Sequence, residues 1–411
     1  MTDPSPRPTR PRFVAALSLA LAAGVWLPTV HFAFRPDAAE RAALADLGRA
    51  PPEGPAPLSP RARALLTRQL ALWEDPASRD AALARMRASN AEWDFMGRTF
   101  LVLALANAAL REPAEEGRYL AVVDRIVDET LALERERGML HFLMPYATAK
   151  PFVTEPPRSV FVDGEIGLMI AARQLVAPRP ELEAALEERV RRIQAQMETG
   201  PVLSAESYPD ECWTFCNTLA LAALRMADAV RGDDRSRDHA WRWIQTARRH
   251  LVDPETGLLV SSFTHGGRTL DGPEGSSIWV SAHALLLLDP EFARDQYTRA
   301  RRHLGAGVFG FGWAREWPRS RPGPADIDSG PIVPIVEASA GSSGLGVLGA
   351  SAFGDTGALG ELLTTLDFAA FPVREGDGLR YAAGNQVGDA ALLYALTFGP
   401  LWARAASRWP S

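Results

Sequence analysis

GEIGLMIAARQLVA at 164–177, followed by ELEAALEERVRRIQAQME at 181–198, is the stretch whose reading decides the fold. The first segment is apolar on most sides and predicts a helix buried all round. The second is charged and amphipathic and predicts a helix that covers it. The same alternation returns at Leu219–Val230 and Asp234–His250.

Working outward, Ser59-Pro60 reads as an N-cap with proline at the first helical position, opening a helix to about Trp73. Further helices are predicted at 77–89, 93–110, 115–136, 164–177, 180–198, 210–230, 235–251, 275–288, 290–304, 330–351, 356–369 and 387–406. Strand signals are short, the clearest being a hairpin at Leu258–Phe263, after the turn Asp253-Pro254-Glu255-Thr256-Gly257. Buried helices alternating with covering ones predict an all-α fold, an α/α six-fold toroid of inner and outer helices. A solenoid of helical hairpins is the alternative, but no fixed-period repeat supports it.

The chain of 411 residues is 47% hydrophobic and 23% charged, with a net charge of −6, as expected of a folded body. Its basic residues are spread out, which argues against nucleic acid as a partner. Residues 13–34 are apolar apart from Ser18, Thr29 and His31, and follow Arg7, Arg10 and Arg12. That length spans a bilayer core of roughly 30 Å. It predicts an uncleaved transmembrane anchor, with a cleaved signal peptide as the rival. Positive-inside orientation gives a cytoplasmic basic tail at 1–12, the anchor at 13–34, a linker at 35–60 stiffened by the prolines from Ala50 to Pro60, and an extracytoplasmic body at 61–411.

Polar and aromatic residues gather at the starts of the apolar helices: Asp163-Gly164-Glu165, Tyr208-Pro209-Asp210-Glu211-Cys212-Trp213, Ser276-Ser277-Ile278-Trp279, Asp326-Ile327-Asp328 and Gly388-Asp389. Asp and Ser at helix starts are ordinary caps. Their recurrence beside Glu165, Tyr208, Cys216 and Trp279 predicts a pocket at one rim, where helix N-termini meet. Glu316, between Trp313 and Trp317 in an irregular loop, is a candidate carboxyl of raised pKa, and Arg315 a partner for some other carboxylate. His283 reads as a core histidine, and the glycines of Ser339–Gly349 as close helix packing. No ligand spacing indicates a metal and no motif indicates a cofactor. Cys212 and Cys216 lie four apart, face the same way if they share a helix, and suit no disulfide there.

Pro209-Asp210-Glu211-Cys212-Trp213-Thr214-Phe215-Cys216-Asn217-Thr218 resembles the linalool dehydratase/isomerase family, as do Val162–Met169, Leu251–Gly257, Asp289–Phe292 and Arg315-Glu316. The likeness runs over about residues 93–405. It implies an α/α toroid that adds or removes water at an allylic alcohol without an added cofactor. Cys216 matches one family cysteine and Glu316 an acidic pocket residue. Ser207 stands where the family has its second cysteine, and Glu165 where it has a histidine. The residues themselves suggest Glu165 and Glu316 as an acid/base pair and Cys216 as their polar neighbour. Asp163, Tyr208, Asp210, Trp213, Ser276, Trp279 and Asp328 then position or wall in the substrate.

The expected function is a membrane-anchored lyase or isomerase for a small hydroxylated substrate. A glycoside hydrolase or polysaccharide lyase using the same rim is the second reading, and a non-enzymatic membrane-bound binding module the third. A homo-oligomer is compatible with each.

Overall fold

The computed structural model describes residues 10–45, 47, 57–326 and 328–409. Most of the basic tail and the proline-rich stretch at 50–56 lie outside the described residues. The helices are α1 (Arg10–Trp26), α2 (Ala38–Ala45), α3 (Pro60–Glu74), α4 (Pro76–Ser89), α5 (Ala91–Arg111), α6 (Glu116–Arg137), α7 (Val160–Val176), α8 (Glu183–Met197), α9 (Thr214–Arg231), α10 (Arg237–His250), α11 (Gly275–Leu285), α12 (Pro290–His303), α13 (Ala340–Ala352), α14 (Thr356–Ala369), α15 (Gln386–Thr397) and α16 (Pro400–Ser407). The short strands are β1 (Cys212–Trp213), β2 (Ser262–Phe263), β3 (Thr269–Asp271), β4 (Gly305–Val308), β5 (Phe311–Ala314), β6 (Ile332–Val333), β7 (Ala338–Ser339), β8 (Pro372–Glu375) and β9 (Gly378–Tyr381).

The odd-numbered helices from α5 to α15 touch in a closed cycle: α5 meets α7, then α9, α11, α13 and α15 follow, and α15 returns to α5. Every residue of α7 is buried, as its composition predicts. Close approach within the cycle explains two glycines. A Cβ on Gly164 would lie 2.9 Å from the Cβ of Ala220, and one on Gly349 would lie 3.1 Å from the Trp279 ring. The even-numbered helices α6, α8, α12 and α14 pack outside, against the odd-numbered helices that precede or follow them.

All the cycle helices start at the same end. Thr214 and Glu274, at the starts of α9 and α11, both donate backbone N–H to Ser261, to its carbonyl and its Oγ. Gly97 near the start of α5 faces Val387 at the start of α15. The opposite end is closed by α16: Leu401 N donates to Asn107 at 3.0 Å, and Arg404 donates to the carbonyls of Leu175 and Val176. His283 belongs to that closed end. Its Nε2 is 2.8 Å from Tyr394 Oη, its ring stacks on Trp402, and burial pushes its pKa down to about 3. It is a core histidine, as expected.

Several boundaries differ from expectation. Residues 330–339 form the β6–β7 hairpin rather than the first turns of a helix. Asp326 and Asp328 therefore sit in the loop before it and not at a helix start. The helix predicted from 210 begins at Thr214, because Cys212–Trp213 pairs with Ser262–Phe263 and converts the expected hairpin into a three-stranded sheet. Cys212 is thus on a strand and Cys216 on a helix, and both are free thiols. The segment 387–406 divides into α15 and α16 at Gly399, whose φ of 127° and following proline end one helix and start the next. Part of the expected linker also folds. Glu40 on α2 is buried and accepts from Ser59 Oγ at 2.8 Å and Arg61 N at 3.0 Å.

The apolar segment comprises α1 and a 3₁₀ stretch over Leu27–Ala33. Residues 13–33 are long and apolar enough to cross a membrane, and none of that span is buried against the body. Such a helix serves as an anchor or as a signal sequence.

Candidate active site

Glu165 lies in the first half of α7, buried among apolar neighbours, and accepts a 2.5 Å hydrogen bond from Thr99 Oγ1 on α5. Burial pushes its pKa up to about 8; the Thr99 bond opposes this and the charge of Glu92 adds to it. Glu92, in the first turn of α5, accepts a short hydrogen bond from Tyr208 Oη, which itself accepts from Met144 N at 2.9 Å. Burial, followed by the charge of Asp328, pushes Glu92 up to about 7. Two adjacent carboxyls are thereby held near neutrality, one donor-bonded by a threonine and one by a tyrosine.

Cys216, in the first turn of α9, borders the same pair. Its thiol is hydrogen-bonded with Ser207 and feels both Glu92 and Glu165 electrostatically. Burial pushes it well above the usual thiol range, so it stays protonated. Tyr146 stacks on Tyr208 with centroids 4.3 Å apart and is half exposed, which puts it on the solvent side of the group. Glu211, raised by burial, receives Trp213 Nε1 at 2.5 Å and a hydrogen bond from Tyr146.

A second group of carboxyls adjoins the first. Glu316 accepts from Ser276 N at 3.0 Å, Ser276 Oγ at 2.5 Å and Ser339 Oγ at 2.7 Å. It therefore ties the starts of α11 and α13 together, and burial raises its pKa against those three bonds. Glu274 is buried, its Oε2 has no hydrogen-bond partner, and burial followed by Asp326 pushes it up to about 9. Asp328, up to about 6 through burial and then Asp326, links the groups, because its charge reaches both Glu92 and Glu316. Among the described residues, no three His, Cys, Asp or Glu side chains are grouped to hold a metal ion.

The predicted residues fall into three sets. Glu165, Cys216, Tyr208 and Trp213 come together around Glu92 and Glu211, while Ser276, Glu316 and Asp328 form the adjoining acidic group. The others face elsewhere. Asp163, two residues from Glu165, points to the opposite side of α7. There it bonds Arg158, Arg189 and Gln196, and the two arginines hold it below the usual carboxylate range despite burial. Asp210, at φ 47°, receives His265 N at 3.1 Å and fixes the turn into β1. Trp279 faces α13, donating to Ser342 Oγ at 3.0 Å and covering Gly346 and Gly349. Arg315 pairs with Glu337 at 2.8 Å. Sequence reasoning missed Glu92, whose place after the Asn90 cap reads as ordinary helix-start acidity.

The linalool dehydratase/isomerase family model matches residues 183–387. This span carries Ser207, Tyr208, Cys216, Glu274 and Glu316, while Glu92, Thr99 and Glu165 lie before it. The resemblance to the linalool dehydratase/isomerase family thus covers about half of the chain and one side of the site. A solved structure described as an Asp-to-Asn variant of UGL with dGlcA-Glc-Rha-Glc is 15% identical, with a TM-score of 0.50 over 75% of this chain and 86% of that one. That likeness concerns the fold. A GH76 alpha-mannanase of Bacteroides thetaiotaomicron is 13% identical, with a TM-score of 0.40 over 76% of this chain and 87% of its own.

Proposed function

We propose that the chain is a membrane-anchored, cofactor-independent enzyme of the lyase or isomerase kind, using Glu165 and Glu92 on a small hydroxylated substrate. The observation that carries this reading is the pair itself: a buried carboxyl, Glu165, and a partly buried one, Glu92, on neighbouring helices, raised to about 8 and about 7, with a tyrosine and a thiol beside them. The closed cycle of helices is read as a six-fold α/α toroid with this pair at its open rim. The body extends from about residue 61 and lies outside the cytoplasm.

A buried carboxyl that stays protonated at neutral pH can donate to a leaving hydroxyl, and a less strongly raised neighbour can accept a proton. Glu165 protonates the substrate oxygen as its C–O bond breaks, releasing water. Glu92, kept partly ionised by Tyr208, takes the proton from the adjoining carbon, whose C–H electron pair forms the alkene. Returning that water at another carbon completes an isomerisation. Glu316, tied by three hydrogen bonds, serves better to hold the rim than to exchange protons.

The saccharide reading draws on the carboxyl-rich edge around Asp326 and Asp328, but the burial of Glu165 and Cys216 favours a small molecule over a chain of sugars. The test is to offer the full-length protein a panel of allylic alcohols and of aryl glycosides. Alkene or rearranged alcohol is expected, with turnover reduced at least about 100-fold by Glu165→Gln and by Glu92→Gln. Unchanged turnover in both variants, or turnover of glycosides alone, overturns the assignment.

A further inference from the structure

The connections of the fold place all its hairpins at one end. Each outer helix ends where the next cycle helix starts, so β2–β3, β4–β5, β6–β7 and β8–β9 all stand on the rim that carries the carboxyls. Outside residues 13–33, twelve large hydrophobic side chains are exposed among the described residues: ten lie in or next to these rim segments or in the loop between α6 and α7, and Phe368 lies in the last turn of α14. Only Trp241, on α10, is on the flank. Water-facing apolar groups scattered singly need no explanation, but their concentration on one rim does.

The most prominent are Ile335, 97% exposed at the tip of β6–β7, Phe309, 50% exposed at the tip of β4–β5, and Phe371, 63% exposed after α14. All three have positive φ, of 72°, 49° and 54°, which large residues seldom adopt. The patch is continuous with the end of the apolar N-terminal segment. Phe34 meets Phe368 with centroids 5.1 Å apart, His31 meets Phe311 at 6.4 Å, and Phe311 meets Phe368 at 5.3 Å. Trp313 Nε1 donates to Val336 O at 2.8 Å, which joins the Ile335 loop to the same group.

From this geometry we infer that the carboxyl-bearing rim lies against the bilayer, with Phe309, Ile335 and Phe371 immersed in its surface. The inference rests on reading residues 13–33 as an anchor. At about 1.5 Å per residue in α1 and about 2 Å in the 3₁₀ stretch, the segment is longer than a bilayer core of about 30 Å. Its end therefore emerges at the lipid–water boundary, and side chains in ring contact with that end share its depth. Exposed Phe and Ile are stabilised there by burial in the acyl region.

The full-length protein in phosphatidylcholine vesicles tests this with an environment-sensitive fluorophore on single introduced cysteines: Phe309→Cys, Ile335→Cys, Trp241→Cys and, within the anchor, Leu21→Cys. Cys212 and Cys216 are buried, and labelling of the unsubstituted chain gives the background. The expected result is blue-shifted emission quenched by spin-labelled lipid at Leu21, Phe309 and Ile335, with aqueous, unquenched emission at Trp241. Aqueous emission at Phe309 and Ile335 with quenching at Leu21 overturns the surface while leaving the anchor in place. Blue-shifted but unquenched emission at the rim also overturns it, since a second copy of the chain then covers the patch. Absence of quenching at Leu21 removes the anchor and the inference together.

Discussion

Glu165 is the residue whose environment matters most, because burial raises the cost of ionising it and the hydrogen bond from Thr99 opposes that cost. Its neighbour Glu92 was illegible in the sequence. The partner that identifies it, Tyr208, is 116 positions away, and an acid two residues after a capping asparagine carries no local mark of function. Cys216 was legible as a site residue but not its state. Burial keeps the thiol protonated, so neither Cys216 nor Cys212 is expected to react with iodoacetamide in the native protein at pH 8, whereas both react after unfolding. Mass spectrometry of the labelled chain decides this; modification of Cys216 in the native state contradicts a protonated, buried thiol.

At the scale of elements, the long apolar helices were legible because burial on all sides leaves an apolar run that only a helix of that length explains. The hairpins were less so. β6–β7 has two residues per strand, and its tip of Pro334 to Glu337 lies between segments whose glycine and alanine content reads as helix. What positions α11 and α13 is the Glu316 bridge. Glu316→Ala removes three hydrogen bonds and leaves Ser276 without its acceptor, while Ser339 keeps the Ser329 carbonyl, an expected loss of about 2–4 kcal/mol. Glu316→Gln keeps an acceptor and is expected to lose less, as read by chemical denaturation. Gly275 is equally constrained, since a Cβ there would lie 1.9 Å from Ser342 Oγ and 2.6 Å from the Arg315 carbonyl. Gly275→Ala is expected to destabilise by about 1–3 kcal/mol through that overlap, and an unchanged denaturation midpoint contradicts the packing.

For the whole molecule, the closed cycle gives one sealed end and one end that carries the carboxyls, and the N-terminal segment joins the carboxyl-bearing end through Phe34 and His31. The carboxyl cluster also sets a pH dependence. Glu165 and Glu92 have pKa values raised on folding, so between about pH 4.5 and about 7 to 8 the folded protein binds more protons than the unfolded chain. Their effect on stability is therefore most favourable at low pH and declines as pH rises, by up to about 1.4 kcal/mol per pH unit for each group. Denaturation at pH 5.5 and pH 7.5 is expected to show wild type losing stability over this interval and Glu165→Gln losing about one group's share less. Equal slopes in the two proteins contradict a raised Glu165.

The most direct test of the central claim, a neutral Glu165 at the rim, is difference infrared spectroscopy of wild type against Glu165→Gln at pH 6.5. A protonated-carboxyl C=O band present in wild type, absent from the variant and titrating near pH 8 is the predicted result. A protonated-carboxyl C=O region that the substitution leaves unchanged would mean that Glu165 is ionised at neutral pH, and the acid role assigned to it would be wrong.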